Sequence, residues 1–450
     1  MVKAVDRKLN GNCVDAVMDW PSSRTQRSDV GAAGVSSGSS RTVGSFIHAF
    51  SPAPRWDQIP SWPPDVFAVS NLVLDHTQAY RFVVAPPSGK RWPPNLDWNQ
   101  RVTAAARAWR ASALDTHAAL PTLVSRCWKT LSDARNLPLA KIESGEAWDV
   151  CVALLTLHAV ADEACGWLAA PASPTPCPSC DQRAWEMLAE TGSLSRISPS
   201  RVRVVPKGRF TTRGITIRSL SRYLALCYES VDLHWTRVGP DAGVAAALAG
   251  RQDYNLVLIP WPLNVQARDF HPVATPLGNM DEDVFGFFEF EPTPAFEIDY
   301  VRSLLEAARA QVQRIDAVVL PEAALEPDHI PALEDALLES GATFLIAGVR
   351  TPGSSGVFGR NYLHLGVHTA AGWQRLEQDK HHRWSLDGQQ INQYHLARSL
   401  DPRKLWWEAV DIGPRAINLI DFGGGATTAP LVCEDLARMD EVSDLLRRIG

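Results

Sequence analysis

The sequence predicts an α/β domain over residues 252–450, preceded by a Pro/Trp-rich and mainly helical region over 51–245 and a disordered leader over 1–50. Two observations carry this reading. From Tyr254 onward, short apolar runs of strand length alternate with amphipathic helical stretches, the pattern of an α/β sheet. A chain of 450 residues with 45% hydrophobic and 21% charged residues is a soluble globular protein too long for one ordinary core.

The elements follow in chain order. Gly31 to Ser45 is mostly Gly, Ser and Ala, which cannot bury enough apolar surface to order a chain. Ser51 to Asn99 is rich in Pro and Trp, with Trp56, Trp62 and Trp92 pinning irregular chain and one short strand expected at Arg81 to Ala85. Arg101 to Thr116, Pro121 to Arg135 and Glu146 to Ala169 carry apolar residues at three- and four-residue spacing and read as helices. A further helix is expected from the Leu220, Leu224, Cys227, Val231 stripe, ending at Gly239-Pro240. Then come strands at Asn255 to Trp261 (buried on both faces), Ala317 to Leu320 and Thr343 to Val349, separated by helices at Tyr300 to Arg314 and Pro331 to Ser340. Tyr362 to Thr369 and Trp373 to Gln378 read as a hairpin, and Ala416 to Phe422 and Ala429 to Val432 as the last strands. Asp281 to Pro294 and Asp387 to Gly413 are expected as loops around the strand ends.

Composition excludes several classes. No run of eighteen apolar residues exists and the first thirty residues lack an apolar signal core, so neither a membrane span nor a secretory signal is expected. The eight Cys then read as reduced thiols in a cytoplasmic protein. A net charge of −6 gives no global pull toward nucleic acid, although Arg196 to Arg222 holds eight basic residues and no acidic one, a run suited either to phosphate contacts or to a solvated face.

Three segments carry the chemistry. "AVVLPEAAL" puts Glu322 just beyond a strand, "RLEQDKHHRW" puts Lys380 just past another, and "APLVCEDLAR" puts Cys433 at a third strand end where a helix begins. Open α/β sheets build their sites at strand ends. A thiol needs a base or a positive field to become a nucleophile, which Glu322 and Lys380 supply. Lys380, with the backbone N–H of Glu434 at a helix N-terminus, would then stabilise an oxyanion.

The order Glu, Lys, Cys on strand ends resembles the nitrilase (carbon–nitrogen hydrolase) superfamily, with "LPE" similar to its Glu motif, Lys380 followed by His to its Lys motif and "VCEDLAR" to its Cys motif. The resemblance covers roughly Tyr254 to the end. It implies an α-β-β-α sandwich, often dimeric through its outer helices, and hydrolysis of an amide or nitrile without metal or organic cofactor, Glu322, Lys380 and Cys433 being catalytic. Many members carry a second Glu shortly after the Lys; here Asp387 or a Gln stands in that stretch, and Asp387 to Gly413 reads as an insertion. Seventeen residues follow Cys433, where the family adds further strands and helices, so a fragment, a domain completed by another chain or a degenerate domain is expected. The region before the domain is loosely similar to what precedes nitrilase-like modules in some bacterial chains that also carry a reverse transcriptase, and no Asp-Asp pair of a polymerase is present. The second reading is therefore a catalytically silent nitrilase-like interaction module of a nucleic-acid-linked defence assembly.

Other groups have ordinary explanations beside functional ones. Cys177 and Cys180 form a C-x-x-C whose extra zinc ligands would have to be Cys165 and His158, at a spacing no common zinc module uses. His158, Asp162 and Glu163 share a helix, where a hydrogen-bonded or solvated face is the simpler reading. His381 and His382 beside Lys380 read either as substrate contacts or as surface polarity.

Overall fold

The helix expected around 146–169 is the hub of the N-terminal half. Residues Trp148–Ala164 (α6) bury almost their whole circumference, Val150, Cys151, Leu154, Leu157 and Ala161 included. A helix apolar on all sides must be surrounded, and three others pack on it: Pro63–Thr77 (α2), Trp98–Ser112 (α3) and Thr122–Asp133 (α4). The short helices Val43–His48 (α1), which lies inside the expected leader, and Leu139–Glu143 (α5) complete this layer. The structure is a computed structural model describing residues 41–50, 56–115, 118–166, 178–207, 216–228, 231–238, 254–274, 280–293, 295–354, 357–422, 427–437 and 441–449, all within the unit Arg41–Gly450. Residues 1–40 of the leader and Cys177 of the C-x-x-C lie outside the described residues.

Two expectations in this half are corrected. Residues 63–77 were expected as irregular chain and form α2, because the helix is buried all round and shows no amphipathic period; its two prolines sit in the first turn, where no N–H partner is lost. Arg81 to Ala85 is no strand but part of a 3-10 helix, Ala79–Val83, which buries Phe82.

The third correction lies at the basic run. The expected helix through Leu220 and Val231 is broken into the short helix Ile217–Leu220 (α8) and the strands Leu224–Cys227 (β2) and Asp232–Arg237 (β3); β2 pairs antiparallel with Arg203–Pro206 (β1). The cause is Asp162, projecting from α6. Its carboxylate accepts the N–H groups of Arg222, Tyr223 and Leu224 at 2.7, 3.0 and 2.8 Å, which holds them out of a helical ladder. Helix Pro178–Thr191 (α7) lies against β3.

The C-terminal half mixes strands and helices, as an α/β protein. Leu256–Leu258 (β4), Ala317–Leu325 (β7) and Phe344–Thr351 (β8) run parallel, and Arg360–Thr369 (β9) and Gly372–Asp379 (β10) extend them as the expected hairpin. The sheet order is β10-β9-β8-β7-β4. Helices Ile298–Val312 (α9) and Ile330–Ser340 (α10) pair with each other and share a core with β7 and β8. Strand β4 was expected to be buried on both faces; it is the edge strand, with Leu256 and Leu258 51% and 69% exposed.

The two stretches expected as loops also fold. Phe270–Val273 (β5), Phe285–Phe290 (β6), Ser385–Leu386 (β11) and Leu405–Glu408 (β12) form a sheet of order β11-β12-β6-β5, with helix Gly388–Gln393 (α11) beside it. Ala416–Asp421 (β13) pairs with Thr427–Thr428 (β14) on one side and, in parallel, with β3 on the other. That pairing crosses the 245–252 division expected between the two regions. Ile420, Phe422 and Val432 share a core with Phe344, Leu365 and Val367, so the three-stranded and five-stranded sheets pack on each other. Glu434–Ala437 (α12) and Glu441–Ile449 (α13) close the chain, α13 burying Val442, Leu445 and Ile449 in the helical half's core. No described helix is long and apolar enough to cross a membrane.

Candidate active site

Glu322 stands where β7 leaves its ladder. The pairing with β8 is regular to Leu320↔Ala347 and resumes at Leu325↔Val349, so four residues of β7 bulge against one of β8. Ala323 in the bulge has φ +53°, and the facing residue is Gly348. A Cβ on Gly348 would lie 2.2 Å from the Pro321 carbonyl and 2.5 Å from Glu322 Cα, so only glycine lets the bulge sit down.

Lys380 follows β10 and donates its backbone N–H to Asn361 O on β9 at 2.9 Å. Its side chain is 1% exposed, with Nζ 2.6 Å from Glu322 Oε1 and 2.5 Å from Glu408 Oε2. Asn361 Nδ2 donates to both carboxylates at 2.7 Å, and the Trp384 N–H donates to Glu408 Oε2 at 3.2 Å. Burial works against the ammonium, yet Glu408 and Glu322 outweigh it and hold the Lys380 pKa above its ordinary value. Lys380 is therefore a cation at neutral pH.

Cys433 occupies a tight turn with φ +37°, in the left-handed region where a Cβ is crowded. The residue is exposed, but protein around the sulfur, followed by the charge of Glu322 and hydrogen bonding with its carboxylate, pushes the thiol pKa up to about 11, with Lys380 opposing them. Cys433 therefore rests as a neutral thiol beside Glu322. The structure brings Glu322, Lys380 and Cys433 together.

Three details differ from expectation. Residues 429–432 form no strand, because Pro430 has no N–H to continue the ladder past β14. Glu434 does open a helix, but α12 is a single turn and adds little dipole to its N–H. Asp387 is remote from this chemistry: it caps α11, accepting the Gln390 N–H at 2.8 Å. The acid that reaches Lys380 is Glu408, at the end of β12 inside the expected insertion. Its only signal was an acid closing the apolar run Leu405-Trp406-Trp407.

Asp435 was also missed. Its fully buried carboxylate accepts the His381 N–H at 3.2 and 3.1 Å and sits 2.7 Å from His382 Nδ1. Arg415 Nη2 lies 2.9 Å from His382 Nε2. A guanidinium only donates, so Nε2 accepts and Nδ1–H donates to Asp435. The turn after Cys433 is thereby tied to the two residues after Lys380. His381 is buried, with Nε2 3.0 Å from Ala416 O, so both histidines serve this junction rather than a surface.

Several remaining candidates hold the fold together, while Arg209 and Arg213 of the basic run lie outside the described residues. His158 Nε2 meets Asn71 Nδ2 at 3.1 Å, and Asp162 holds the β2 entry. In the basic run, Arg203 pairs with Asp232, Arg218 donates to Arg447 O, and Lys207 is buried on the carbonyls of Arg218 and Ser221. Among the described residues no group of three or more His, Cys, Asp or Glu could hold a metal ion. Compared with family models, curated proteins and solved structures, the chain matches none of them.

Proposed function

We propose that the protein is a cytoplasmic thiol hydrolase of a non-peptide carbon–nitrogen bond, an amide or a nitrile, built on a nitrilase-like sandwich. One observation carries the reading: a buried ammonium held between two carboxylates, one of which stands beside an exposed thiol. The packing of the three-stranded sheet on the five-stranded one, with α9 and α10 outside the latter, supports the sandwich.

For an amide, the Cys433 proton moves to Glu322 as sulfur bonds to the carbonyl carbon and the π pair moves to oxygen. Lys380 Nζ and the Glu434 N–H stabilise that oxyanion. The C–N bond breaks as Glu322 returns the proton to nitrogen, releasing an amine and leaving an acyl-thioester. Water, deprotonated by Glu322, then forms the acid and regenerates the thiol. Glu408 keeps Lys380 charged and aimed.

A pKa near 11 at Cys433 favours a second reading, a silent interaction module whose thiol never ionises. Mass spectrometry after incubation with a panel of amides and nitriles separates the two. The enzyme reading expects turnover and an acyl adduct on Cys433, both lost in Cys433→Ala, and turnover reduced about a hundredfold in Glu408→Gln. Turnover surviving Cys433→Ala, or no adduct with any member of the panel, sinks it.

A further inference from the structure

Away from Cys433, a cavity of about 690 Å³ opens between α7, β3 and β10. That volume lies within the roughly 300–1,000 Å³ of small-molecule sites. Its walls are aromatic and apolar, from Trp185, Trp235, Leu188 and Leu376, with polar groups of both signs at the edge. The Arg237 guanidinium lies 4.2 Å from the centre of the Trp185 ring, a flat cationic plate on which another planar group can stack. Trp235 is 5% exposed, and its indole N–H, like that of Trp185, meets no acceptor among the described residues. A buried donor left unpaired costs about 1–3 kcal/mol, which a ligand acceptor would offset. Glu190, exposed at the rim, offers the complementary acceptor. The ionised pair Arg203–Asp232 is internally neutral, so the cavity selects shape and hydrogen bonding more than charge.

The same wall is wired to the nucleophile. Asn418, on the cavity, donates its N–H to Gln378 Oε1 at 2.7 Å and its Nδ2 to Glu377 O at 3.1 Å. Gln378 is 1% exposed and donates Nε2 to Pro430 O at 2.8 Å, three residues before Cys433. Gln378 is also two residues before Lys380. One buried amide thus bridges the cavity, the lysine strand and the cysteine turn.

We propose that this cavity is an effector site for a planar heteroaromatic molecule carrying ring acceptors and N–H donors, of the size and chemistry of a purine nucleoside, and that occupancy shifts the Cys433 turn through Asn418 and Gln378. The ligand stacks on Arg237, accepts from an indole N–H and donates to Glu190. The coupling concerns Cys433 only as a thiol, so it stands apart from whether that thiol hydrolyses amides.

The test uses the full chain with adenosine as probe and glucose as a non-planar control. Calorimetry is expected to show saturable adenosine binding and no glucose binding. Ala189→Trp, at an exposed α7 position on the cavity, is expected to abolish binding. In the wild type, adenosine is expected to change the iodoacetamide rate of Cys433 about five-fold, the low end of ordinary coupling between sites. Gln378→Met should bind adenosine and lose that response. Should Gln378→Met fold poorly, hydrogen exchange of the 431–437 amides in the wild type, with and without adenosine, reads the same link. Absence of saturable binding, equal binding of glucose, binding that survives Ala189→Trp, or bound adenosine that leaves both alkylation and exchange unchanged overturns the proposal. Loss or retention of amide turnover in Cys433→Ala changes none of these outcomes.

Discussion

Burial acts in opposite ways on two of the buried polar clusters among the described residues. In the helical half, His158, Asp162 and Lys207 are each pushed toward their neutral forms. Burial, aided by the Lys207 charge, takes His158 down to about 3; it lifts Asp162 to about 6 against three backbone N–H bonds and takes Lys207 down to about 8 against the Asp162 charge. Around Lys380 the same desolvation is overcome, because two carboxylates face one ammonium at hydrogen-bond distance. At Asp162 three backbone amides do not overcome burial, whereas at Lys380 two carboxylates keep the buried ammonium charged. The first cluster organises chain; the second holds charge next to an exposed thiol.

The largest effect that would break this contrast is at Lys380. Lys380→Met leaves Glu322 and Glu408 sharing Asn361 Nδ2 with no cation between them, and should cost about 3–5 kcal/mol, the scale for removing one partner of a buried ion pair. Urea unfolding measures it, and adding Glu408→Gln should recover part of the loss. An unchanged midpoint in Lys380→Met would mean that the carboxylates do not depend on the lysine.

Asp162→Asn probes the other cluster on a smaller scale. An amide oxygen can accept only some of the three N–H bonds to Arg222, Tyr223 and Leu224, so about 1–3 kcal/mol should be lost while Cys433 alkylation stays at the wild-type rate. The pH dependence has a definite sign. With a folded pKa of about 6 above the unfolded 3.8, the aspartate contributes stability that is full below 3.8 and lost as pH rises through 6. The deficit of Asp162→Asn relative to wild type should therefore be greatest at pH 3.5 and shrink by pH 7. A deficit that grows with pH would show that Asp162 is held as a stabilised anion.

How legible each cluster was follows from the same distinction. Glu322, Lys380 and Cys433 stand in or beside apolar segments, so local pattern plus one polar residue picked them out. Glu408 did not stand out, because its place beside Lys380 depends on β12 pairing with β6, two segments far apart in sequence that both read as loops. Asp435 did not stand out; only the fold brings His381 and His382 against it. The β2–β3 segment was misread since Leu220, Leu224, Cys227 and Val231 fall at helical spacing by coincidence, and the group that forbids the helix, Asp162, comes from another element. In each case the missing information was a long-range partner.

The smallest expected effect is the most pointed, because it sets stability against function at one residue. Cys433 holds a left-handed φ that a Cβ makes unfavourable by about 1–2 kcal/mol, and the α12 turn and the Asp435 junction enforce it. Glycine adopts that φ freely but gains entropy in the unfolded chain, which offsets part of the benefit. Cys433→Gly should therefore be as stable as wild type or better by up to about 1 kcal/mol, while losing thiol reactivity entirely. Cys433→Ala keeps the Cβ and should show no such gain, so comparing their urea midpoints isolates the backbone term from the lost sulfur. A glycine variant clearly less stable than the alanine one would mean that the turn is unstrained.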